Sequence, residues 1–424
     1  MDLSDRRRRL RGRYEDLIDA HGSPLYVFDE APLRRNYRDL RDALDAYYPD
    51  SRVHFAVKAN FNLGVLSVLR DAGCSAEAYA RCELTAAERA GFDPSDVLLT
   101  GINRRPADLE RALELGVERL LVDNDAELTR VIDAAAETDR DVRVLVRANP
   151  ALDVPTHPDV ATATRETKFG LDLESGRAMA VARRAVEAEG VDLAGVQLHL
   201  GSQIRGVEPY AVAAAELLSF AAEIRDDLGV EIDLLDLGGG FPIQYDEPVP
   251  DTGAIVETMA DAIHEACEAH GLAPPRLLLE PGRRLVGNAG TLLGTVGSVK
   301  ETPHATFAIL DVGTNAVSSR WPHPMYSLSG DDGPEREYHV AGPLCFSGDV
   351  FAEDVPLSEL EAGDVLAIDE IGAYSVASAS NTNAEPRPPI VLVRENGDVS
   401  LVRERQSCRD VFGQDRIPGD LDRG

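Results

Sequence analysis

Short apolar runs of strand type alternate with longer segments of helical periodicity over the first two thirds of the chain. Several of the helical segments open with Pro or Asp, residues that favour a helix start. Eight strands alternating with helices over about 230 residues predict an α/β fold, a (β/α)8 TIM barrel. The predicted strands are 53–57, 76–79, 97–100, 119–122, 142–147, 196–200, 234–237 and 277–280, and the predicted helices include 106–115, 125–137, 174–189 and 208–228.

The pattern changes after residue 290, where short strands follow one another with turns between them and little helix. This predicts a C-terminal antiparallel β domain of about 130 residues. The early run SPLYVFD (23–29) precedes the first barrel strand and can pair with it. We expect three segments: 1–35, which packs with the β domain, 36–288, which forms the cofactor-binding barrel, and 289–424, which forms the β domain.

The charge of the chain limits its partners. The formal net charge is −31, spread along all 424 residues, and such a field disfavours nucleic acids and anionic membrane surfaces. No window of about 18 apolar residues predicts a membrane span, and the basic N-terminus has no apolar stretch behind it, unlike a signal peptide. Five cysteines without metal-like spacing indicate reduced thiols and no metal site. We therefore expect a cytoplasmic protein, and the acidity indicates a halophilic one, whose charges are screened by high salt.

Lysine is scarce in this chain: of 43 basic residues, Lys58, Lys168 and Lys300 are the three lysines. Lys58 directly follows the strand VHFAV (53–57). A lysine amine can lose its proton and form a Schiff base, which an arginine cannot do. Lys58 is therefore a candidate catalytic residue, although a salt bridge would explain it about equally well on its own.

Three more features follow predicted barrel strands, where barrel enzymes place their active sites. His199 lies at the end of strand six, Gly238, Gly239 and Gly240 follow strand seven, and Glu280 ends strand eight. Singly, these could be a core histidine, a tight turn and a capping carboxylate. Together with Lys58 they provide an amine, a flat ring, a carboxylate and backbone N–H groups that can approach a phosphate. This combination predicts a pyridoxal 5'-phosphate site.

Longer motifs carry a resemblance to a known family. The sequence resembles the fold-type III pyridoxal-phosphate decarboxylases, and among them the diaminopimelate decarboxylases, over nearly its whole length. The motifs are FAVKAN (55–60), RANPALDVPTHPDVATATRETKFG (147–170), HLGSQI (199–204), DLGGGFP (236–242), EPGR (280–283), GPLCFSGDVF (342–351) and GAYSVASASNTNAEPRPP (372–389).

The resemblance implies an alanine racemase-like barrel, pyridoxal 5'-phosphate as cofactor, an amino-acid substrate, and a homodimer with shared active sites. It implies that Lys58 carries the cofactor, that His199 stacks on its ring, and that Cys345 reaches into the partner's barrel. The other implied cofactor-binding residues are Ser202, Gly238, Gly239, Gly240, Glu280, Pro281, Gly282, Arg283 and Tyr374. The implied substrate-binding residues are Arg283, Arg320, Tyr326, Phe346 and Tyr374.

Glu280 favours decarboxylation over racemisation. A carboxylate at the pyridine nitrogen keeps that nitrogen positive and stabilises the carbanion left by CO₂, whereas alanine racemase-like relatives have an arginine there. The resemblance places Cys345 as the acid that then protonates the carbanion. The implied reaction converts meso-2,6-diaminopimelate to L-lysine and CO₂.

Departures from the family pattern leave the substrate open. Phe346 replaces the glutamate that in the family grips the distal amino group, and the segment 316–326 is longer than usual. Glu77 and Ala80 stand where Asp and Ser are usual, and Arg284 adds a positive charge. The alternatives are ornithine, arginine, a carboxylated polyamine or a pathway intermediate. A non-catalytic pyridoxal-phosphate-binding protein is disfavoured by the β domain and Cys345, and a racemase by Glu280.

Overall fold

The structure, a computed structural model, describes residues 3–152, 156, 160, 162–317, 320–328, 334–419 and 421, with side chains from residue 12 onwards. The motif 147–170 and the long segment 316–326 therefore lie partly outside the described residues. The chain divides into two compact units, residues 31–287 and residues 1–30 together with 288–424. The domain boundaries after residues 35 and 288 stay predictions. Expressing the segments separately and measuring whether each one folds would test them.

The secondary structure alternates between strands and helices up to residue 287 and is mostly strand afterwards. The strands are β1 Leu25–Asp29, β2 Ser51–Ala56, β3 Ser75–Ala78, β4 Val97–Leu99, β5 Arg119–Val122, β6 Val142–Asn149, β7 Leu171–Asp172, β8 Val191–Gln197, β9 Leu234–Asp236, β10 Arg276–Leu279, β11 Gly290–Glu301, β12 Thr306–Leu310, β13 Met325–Ser327, β14 Glu335–Ala341, β15 Val350–Ser358, β16 Val365–Ile368, β17 Ile390–Val393 and β18 Val399–Arg403. The helices are α1 Leu3–His21, α2 Glu30–Tyr47, α3 Leu63–Asp71, α4 Arg81–Ala90, α5 Pro106–Leu115, α6 Asp125–Thr138, α7 Arg177–Glu187, α8 Glu208–Leu228, α9 Thr252–His270, α10 Arg283–Val286, α11 Ser375–Ser378 and α12 Cys408–Val411.

The unit 31–287 is a closed parallel barrel. Its strands follow the order β5-β4-β3-β2-β10-β9-β8-β6, and β6 pairs back to β5, so that eight strands complete the circle, while the short β7 extends from β6. The predicted (β/α)8 barrel is confirmed. One apolar layer comes from six strands, and each of its leucines contributes about 1.5–3 kcal/mol by burial. This layer contains Leu98, Leu121, Leu145, Ala194, Leu234 and Leu278.

Local sequence signals set the helix limits in the barrel. Helix α5 begins with Pro106 and ends before Gly116, whose φ of 96° is the left-handed conformation that glycine adopts at helix ends. Helix α6 begins after Asn124, whose side chain accepts a hydrogen bond from the backbone N–H of Glu127. Helix α7 is shorter than its predicted range, since the chain turns through a left-handed Gly176 before entering it.

The second unit contains a nine-stranded sheet, with the order β15-β14-β12-β11-β1-β17-β18 and with β16 joining β13 to β11. Most pairings are antiparallel, as predicted, but β1 pairs with β17 and β12 with β14 in parallel. The predicted option that SPLYVFD pairs with the first barrel strand was wrong. Strand β1 instead lies between β11 and β17, because Leu25 and Val27 pack into the β domain's own apolar cluster.

Among the described residues, no helix combines the length and the apolar character that crossing a membrane would require.

Candidate active site

The carboxyl ends of the barrel strands surround a cavity of about 290 Å³. This volume is at the lower end of the range of small-molecule sites. Strands β2, β3, β6, β8 and β10 each supply polar side chains at or just after their last residues. The cavity is lined by Lys58, Glu77, Tyr79, Thr100, Leu121, Arg147, Thr162, Phe169, Gln197, His199 and Glu280.

Lys58 lies in a short 3₁₀ turn that directly follows β2. Its Nζ is 2.5 Å from Oε2 of Glu77, which is fully buried on β3. The second carboxylate oxygen of Glu77 accepts a hydrogen bond from the Thr100 hydroxyl, after β4. The structure therefore presents the Lys58 amine to the cavity in a position fixed by a buried carboxylate.

A second ion pair forms the neighbouring wall. Arg147 Nη1 on β6 lies 3.4 Å from Asp123 Oδ2, which follows β5. Asp123 also accepts a hydrogen bond from the backbone N–H of Gly170, at 2.9 Å. The Arg147 guanidinium lies over the Phe169 ring, 4.7 Å from its centroid, a cation–π contact. Burial raises the pKa of Asp123, and the charge of Arg147 opposes that increase.

Glu280 directly follows β10 and is buried. Its Oε1 accepts a hydrogen bond from Gln197 Nε2, at 2.9 Å. Burial and the carboxylate of Glu77 raise the pKa of Glu280, while Lys58 lowers it. Asp236, at the end of β9, has a pKa raised well above its ordinary value by complete burial and by the Glu280 carboxyl. These raised pKa values disfavour two charged carboxylates side by side, so the pair favours a single negative charge.

His199 follows β8 and faces the cavity as a neutral ring. Its Nδ1 accepts a hydrogen bond from the backbone N–H of Gly239, at 3.1 Å, so a proton on the neutral ring belongs on Nε2. Burial lowers its pKa to about 3, and the positive charges of Arg147 and Lys58 act in the same direction. His199 is partly accessible and lines the cavity, so it can contact a ligand there.

The three glycines after β9 are required by close packing. A Cβ on Gly239 would lie 2.4 Å from the carbonyl oxygen of Glu280, and one on Gly240 would lie 2.8 Å from that of Gly201. Gly238 and Gly240 also have φ values of 66° and 95°, which suit glycine. The N–H groups of Gly238 and Gly239 already donate to Asp236 and His199. Within the described residues, the N–H of Gly240 has no acceptor, so this donor remains for a ligand.

Two of the predicted cofactor-binding residues of the barrel, Ser202 and Arg283, are neighbours. Arg283 Nε and Nη2 each lie 3.4 Å from Ser202 Oγ, and Arg283 Nη1 donates to the Tyr245 hydroxyl at 2.6 Å. The loop after β8 is connected to the loop after β9 by Gln203. Its side-chain amide donates a hydrogen bond to the carbonyl oxygen of Ile243 and accepts one from the N–H of Ile243. Pro281 and Gly282 connect Glu280 to Arg283, and the N–H of Gly282 has no acceptor in the described part of the chain.

The remaining predicted site residues belong to the β-rich unit. Cys345 and Phe346 are exposed, and Phe346 is 51 % accessible. Their loop is fixed by Asp349, which accepts hydrogen bonds from the backbone N–H groups of Thr314 and Leu344, both at 2.7 Å. Three further predicted residues differ from one another in burial. Arg320 is exposed, and Tyr326 lies in the apolar cluster of the sheet. Tyr374 is half-buried and has a left-handed φ of 65°.

Sequence reasoning missed several residues of the cavity. Thr100, Asp123, Arg147 and Gln197 were not singled out, and Glu77 was noted as a departure from a motif without a role. Each is a polar residue at or just after the carboxyl end of a barrel strand. That position, applied to every strand rather than to four of them, is the signal that could have found them.

The described residues fit pyridoxal phosphate. The Lys58 amine and the Glu280 carboxylate face one cavity, as the aldehyde and the ring nitrogen of the cofactor require. Gln197 Oε1 and Asp236 Oδ2 are buried without a hydrogen-bond partner in the described part of the chain. The free N–H groups of Gly240 and Gly282, with Ser202 and Arg283, are donors suited to a phosphate. No group of side chains with metal-like arrangement occurs among the described residues.

Comparisons with known proteins agree with this chemistry. Residues 30–287 match the family model described as pyridoxal-dependent decarboxylase, pyridoxal binding domain. The chain is 37 % identical over 414 residues to the diaminopimelate decarboxylase of Methanothermobacter thermautotrophicus, covering 96 % of this chain and 94 % of that protein. It is 36 % identical to that of Pseudomonas aeruginosa, covering 95 % of each.

A solved structure of the diaminopimelate decarboxylase of Methanocaldococcus jannaschii in complex with L-lysine superimposes with a TM-score of 0.88 at 33 % identity. The match covers 96 % of this chain and 95 % of that one. With its barrel, its cavity and these full-length similarities, the chain belongs to the pyridoxal-dependent decarboxylase family, among the diaminopimelate decarboxylases.

Proposed function

We propose that this protein is a pyridoxal-phosphate-dependent decarboxylase that converts meso-diaminopimelate to L-lysine and CO₂. The observation that carries the proposal is the convergence of Lys58, Glu280 and His199 on one cavity at the carboxyl end of the barrel. When bound, pyridoxal phosphate supplies an aldehyde that bonds an amine and a ring that withdraws electrons from the substrate. The 37 % identity to a diaminopimelate decarboxylase over 96 % of this chain supports the substrate.

The residues of the cavity have separate roles in this proposal. Lys58 provides the amine that holds the cofactor. Glu77 orients this amine through their ion pair. Glu280 would accept a hydrogen bond from the N–H of the pyridine ring, and its negative charge would favour the protonated ring nitrogen. Gln197 fixes the Glu280 carboxylate through their 2.9 Å hydrogen bond. His199 stacks as an uncharged ring, since its pKa of about 3 keeps it neutral near pH 7.

The phosphate is proposed to bind where the N–H groups of Gly240 and Gly282 and the Ser202 hydroxyl are available. Gly238 and Gly239 shape this loop by allowing close backbone packing, and Pro281 leads into it. Arg283 and Tyr374 are proposed to contact both cofactor and substrate. Arg320, Tyr326 and Phe346 are proposed contacts of the substrate's distal end.

We also propose that two chains share their active sites, with Cys345 of one subunit donating a proton in the cavity of the other. The support is that Cys345 and Phe346 are exposed in the single chain although their loop is fixed by Asp349. Mixing Lys58→Ala with Cys345→Ala protein tests this arrangement. Heterodimers should regain activity, because one of their two sites keeps both residues, and inactive heterodimers would contradict shared sites.

A cytoplasmic location at high salt is part of the same proposal. All five cysteines are free in the structure, as a reducing compartment would keep them. The net charge of −31 suits a medium in which charges are screened.

Phe346 favours a second candidate, a decarboxylase of the same family that acts on another amino acid. Phenylalanine cannot pair with a distal ammonium group, so the substrate could be ornithine, arginine, a carboxylated polyamine or a pathway intermediate. CO₂ release from cofactor-loaded protein in molar salt separates the candidates. Turnover of meso-diaminopimelate but not of lysine, ornithine, arginine or glutamate would establish the first function, and an inert diaminopimelate would overturn it.

A further inference from the structure

A cavity of about 400 Å³ lies in the β-rich unit at the end of β18, and the proposed decarboxylation does not use it. Three arginines, Arg387, Arg403 and Arg405, contribute to its lining together with Gln406. In a chain whose net charge is −31, a cluster of three positive side chains around one cavity is a marked local reversal of sign.

None of these arginines forms an ion pair with a carboxylate of the described residues. The Nε and Nη2 atoms of Arg403 are buried without a hydrogen-bond acceptor, and its guanidinium lies over the Tyr26 ring, 6.0 Å from the centroid. Burial lowers the pKa of Arg403, and the positive charge of Arg387 lowers it further. A partly buried cation beside a second cation is unfavourable unless an anion compensates it.

The hydrogen bonds that hold Arg387 and Arg405 come from neutral groups, and the Asp311 carboxylate acts on Arg405 without forming a salt bridge with it. Gln406 Oε1 accepts hydrogen bonds from the backbone N–H of Arg387 at 3.1 Å and from Arg387 Nε at 3.4 Å. Arg405 Nη2 donates to the carbonyl oxygens of His21 at 3.2 Å and of Pro24 at 3.0 Å. The positive groups are therefore preorganised around the cavity.

Two carboxylates also line the cavity, but they do not neutralise the cluster. Asp410 Oδ2 accepts hydrogen bonds from the backbone N–H of Ser407 at 2.7 Å and from its hydroxyl at 2.6 Å. The Glu404 side chain belongs to an exposed residue and forms no ion pair with the three arginines. The Asp311 carboxylate also acts on Arg405 through its charge, so the uncompensated positive charge of the cavity is that of Arg387 and Arg403.

We propose that this cavity binds a small tetrahedral oxyanion of the phosphate or sulfate class, held by Arg387, Arg403 and Arg405. The planar guanidinium group offers paired N–H donors that match the oxygens of such an anion. At high ionic strength the long-range repulsion from the rest of the acidic surface is screened within a few ångströms. Direct contacts with the arginines then decide binding, and the anion stabilises the folded unit because it binds this state alone.

The test is thermal unfolding of the full-length protein with increasing inorganic phosphate at a constant, high chloride concentration. Arg387→Gln is the test variant, because the guanidinium of Arg387, unlike that of Arg403, has no buried nitrogen without a partner. Arg336→Gln is the matched control: Arg336 is an exposed arginine of the same unit and pairs with Glu301 at 2.7 Å. Arg405→Gln is a second test variant in case Arg387→Gln does not fold.

The midpoint of unfolding should rise with phosphate and reach a plateau in the parent and in Arg336→Gln, but not in Arg387→Gln or Arg405→Gln. Crystals soaked in selenate should show an anomalous peak between the arginines. A parent without a saturable rise, equal responses in the parent and the test variants, or an equal response to added chloride would each overturn the proposal.

Discussion

Lys58 Nζ lies 2.5 Å from Glu77 Oε2, and this pair joins a residue that is 38 % exposed to one that is fully buried. The buried carboxylate is close enough to Glu280 to raise the pKa of that group. Lys58 therefore has a structural task besides its proposed chemical one, because it compensates a negative charge that has no access to water. The two tasks can be separated by substitution.

Lys58→Met should lower the free energy of unfolding of the cofactor-free protein by about 1–3 kcal/mol, since it leaves the Glu77 carboxylate buried without its partner. The partial exposure of Lys58 keeps the expected loss at the low end of that range. Lys58→Arg should retain most of the stability because it keeps the positive charge. Urea unfolding of the three proteins measures this difference, and a Met variant as stable as the parent would contradict it.

The chemical task separates the variants differently, because Lys58→Arg should lose covalent attachment of the cofactor although it keeps the stability. After loading with pyridoxal phosphate and reduction with borohydride, the mass of the parent should increase by one reduced cofactor. Neither Lys58→Arg nor Lys58→Met should show this increase, because neither has a primary amine at this position. Retention of the cofactor on Lys168 or Lys300 would refute the assignment of Lys58.

His199 combines a hydrogen bond with a proposed stacking role, and two substitutions distinguish them. His199→Phe keeps a flat ring but removes the acceptor of the Gly239 N–H, which should cost about 1–3 kcal/mol of folding stability. His199→Asn can still accept that hydrogen bond but offers no ring. We expect Phe to be the less stable variant and Asn to be the weaker cofactor binder, as measured by urea unfolding and by cofactor titration. The reverse order in both would show that the ring does not face the cofactor.

The sequence was sufficient for the barrel, for three residues of the cavity lining and for the glycine loop after β9, and the reason is physical. A parallel strand buried on both faces is a nearly continuous apolar run, so a polar residue that ends such a run is conspicuous. Lys58, His199, Glu280 and the glycines after β9 were found in this way. Arg147 and Thr100 also end predicted strands but were missed, Thr100 because a hydroxyl at a strand end has no distinctive chemistry.

The pairing of residues was beyond the sequence. No periodicity indicates that Glu77 meets Lys58, since the two are joined by the register of β2 and β3, in which Ala56 faces Glu77. The position of β1 also depended on partners far along the chain, because Tyr26 pairs with Leu292 on one side and Ile390 on the other. Such contacts between distant segments are decided by packing, which local patterns do not record.

From the burial of His54 on β2 we expect the free energy of unfolding to fall in acid. It is fully buried, and neither ring nitrogen has a hydrogen-bond partner among the described residues. Burial, Arg119 and Arg52 lower its pKa from 6.5 to about 3. Between pH 6.5 and about 3, His54 is therefore protonated in the unfolded chain and neutral in the folded chain. Because the unfolded chain binds the extra proton, the free energy of unfolding falls as the pH falls, by up to about 1.4 kcal/mol per pH unit.

His54→Leu should flatten this dependence between pH 6.5 and 4, and the exposed His304→Gln should not. The raised pKa values of Asp236 and Glu280 act in the opposite direction. The difference between variant and parent, measured by urea unfolding at each pH, therefore isolates the histidine. Parallel curves for His54→Leu and the parent would contradict a buried neutral His54.

The net charge predicts a salt requirement for stability. With 74 acidic and 43 basic residues, the folded chain is destabilised by its own repulsion in dilute buffer. Added salt screens that repulsion, so the midpoint of thermal unfolding should rise between low and molar KCl. An uncharged osmolyte of matched osmolality is the control, and an unchanged midpoint in KCl would refute the halophilic interpretation.

Phe346 decides how the substrate prediction can be tested. The family pattern has a glutamate at this position for the distal amino group, and a lost charge-assisted hydrogen bond costs about 1.5–3 kcal/mol. Phe346→Glu should therefore raise kcat/KM for meso-diaminopimelate by about ten- to a hundredfold. Phe346→Gln, which is of similar size but uncharged, is the matched control and should give a smaller gain.

If Phe346→Glu brings no gain although diaminopimelate is turned over, another residue holds the distal amine and Phe346 is a neutral replacement. If diaminopimelate stays inert in both variants while the cofactor is bound, the distal end of the true substrate is apolar or differently charged, and Phe346 is part of its pocket.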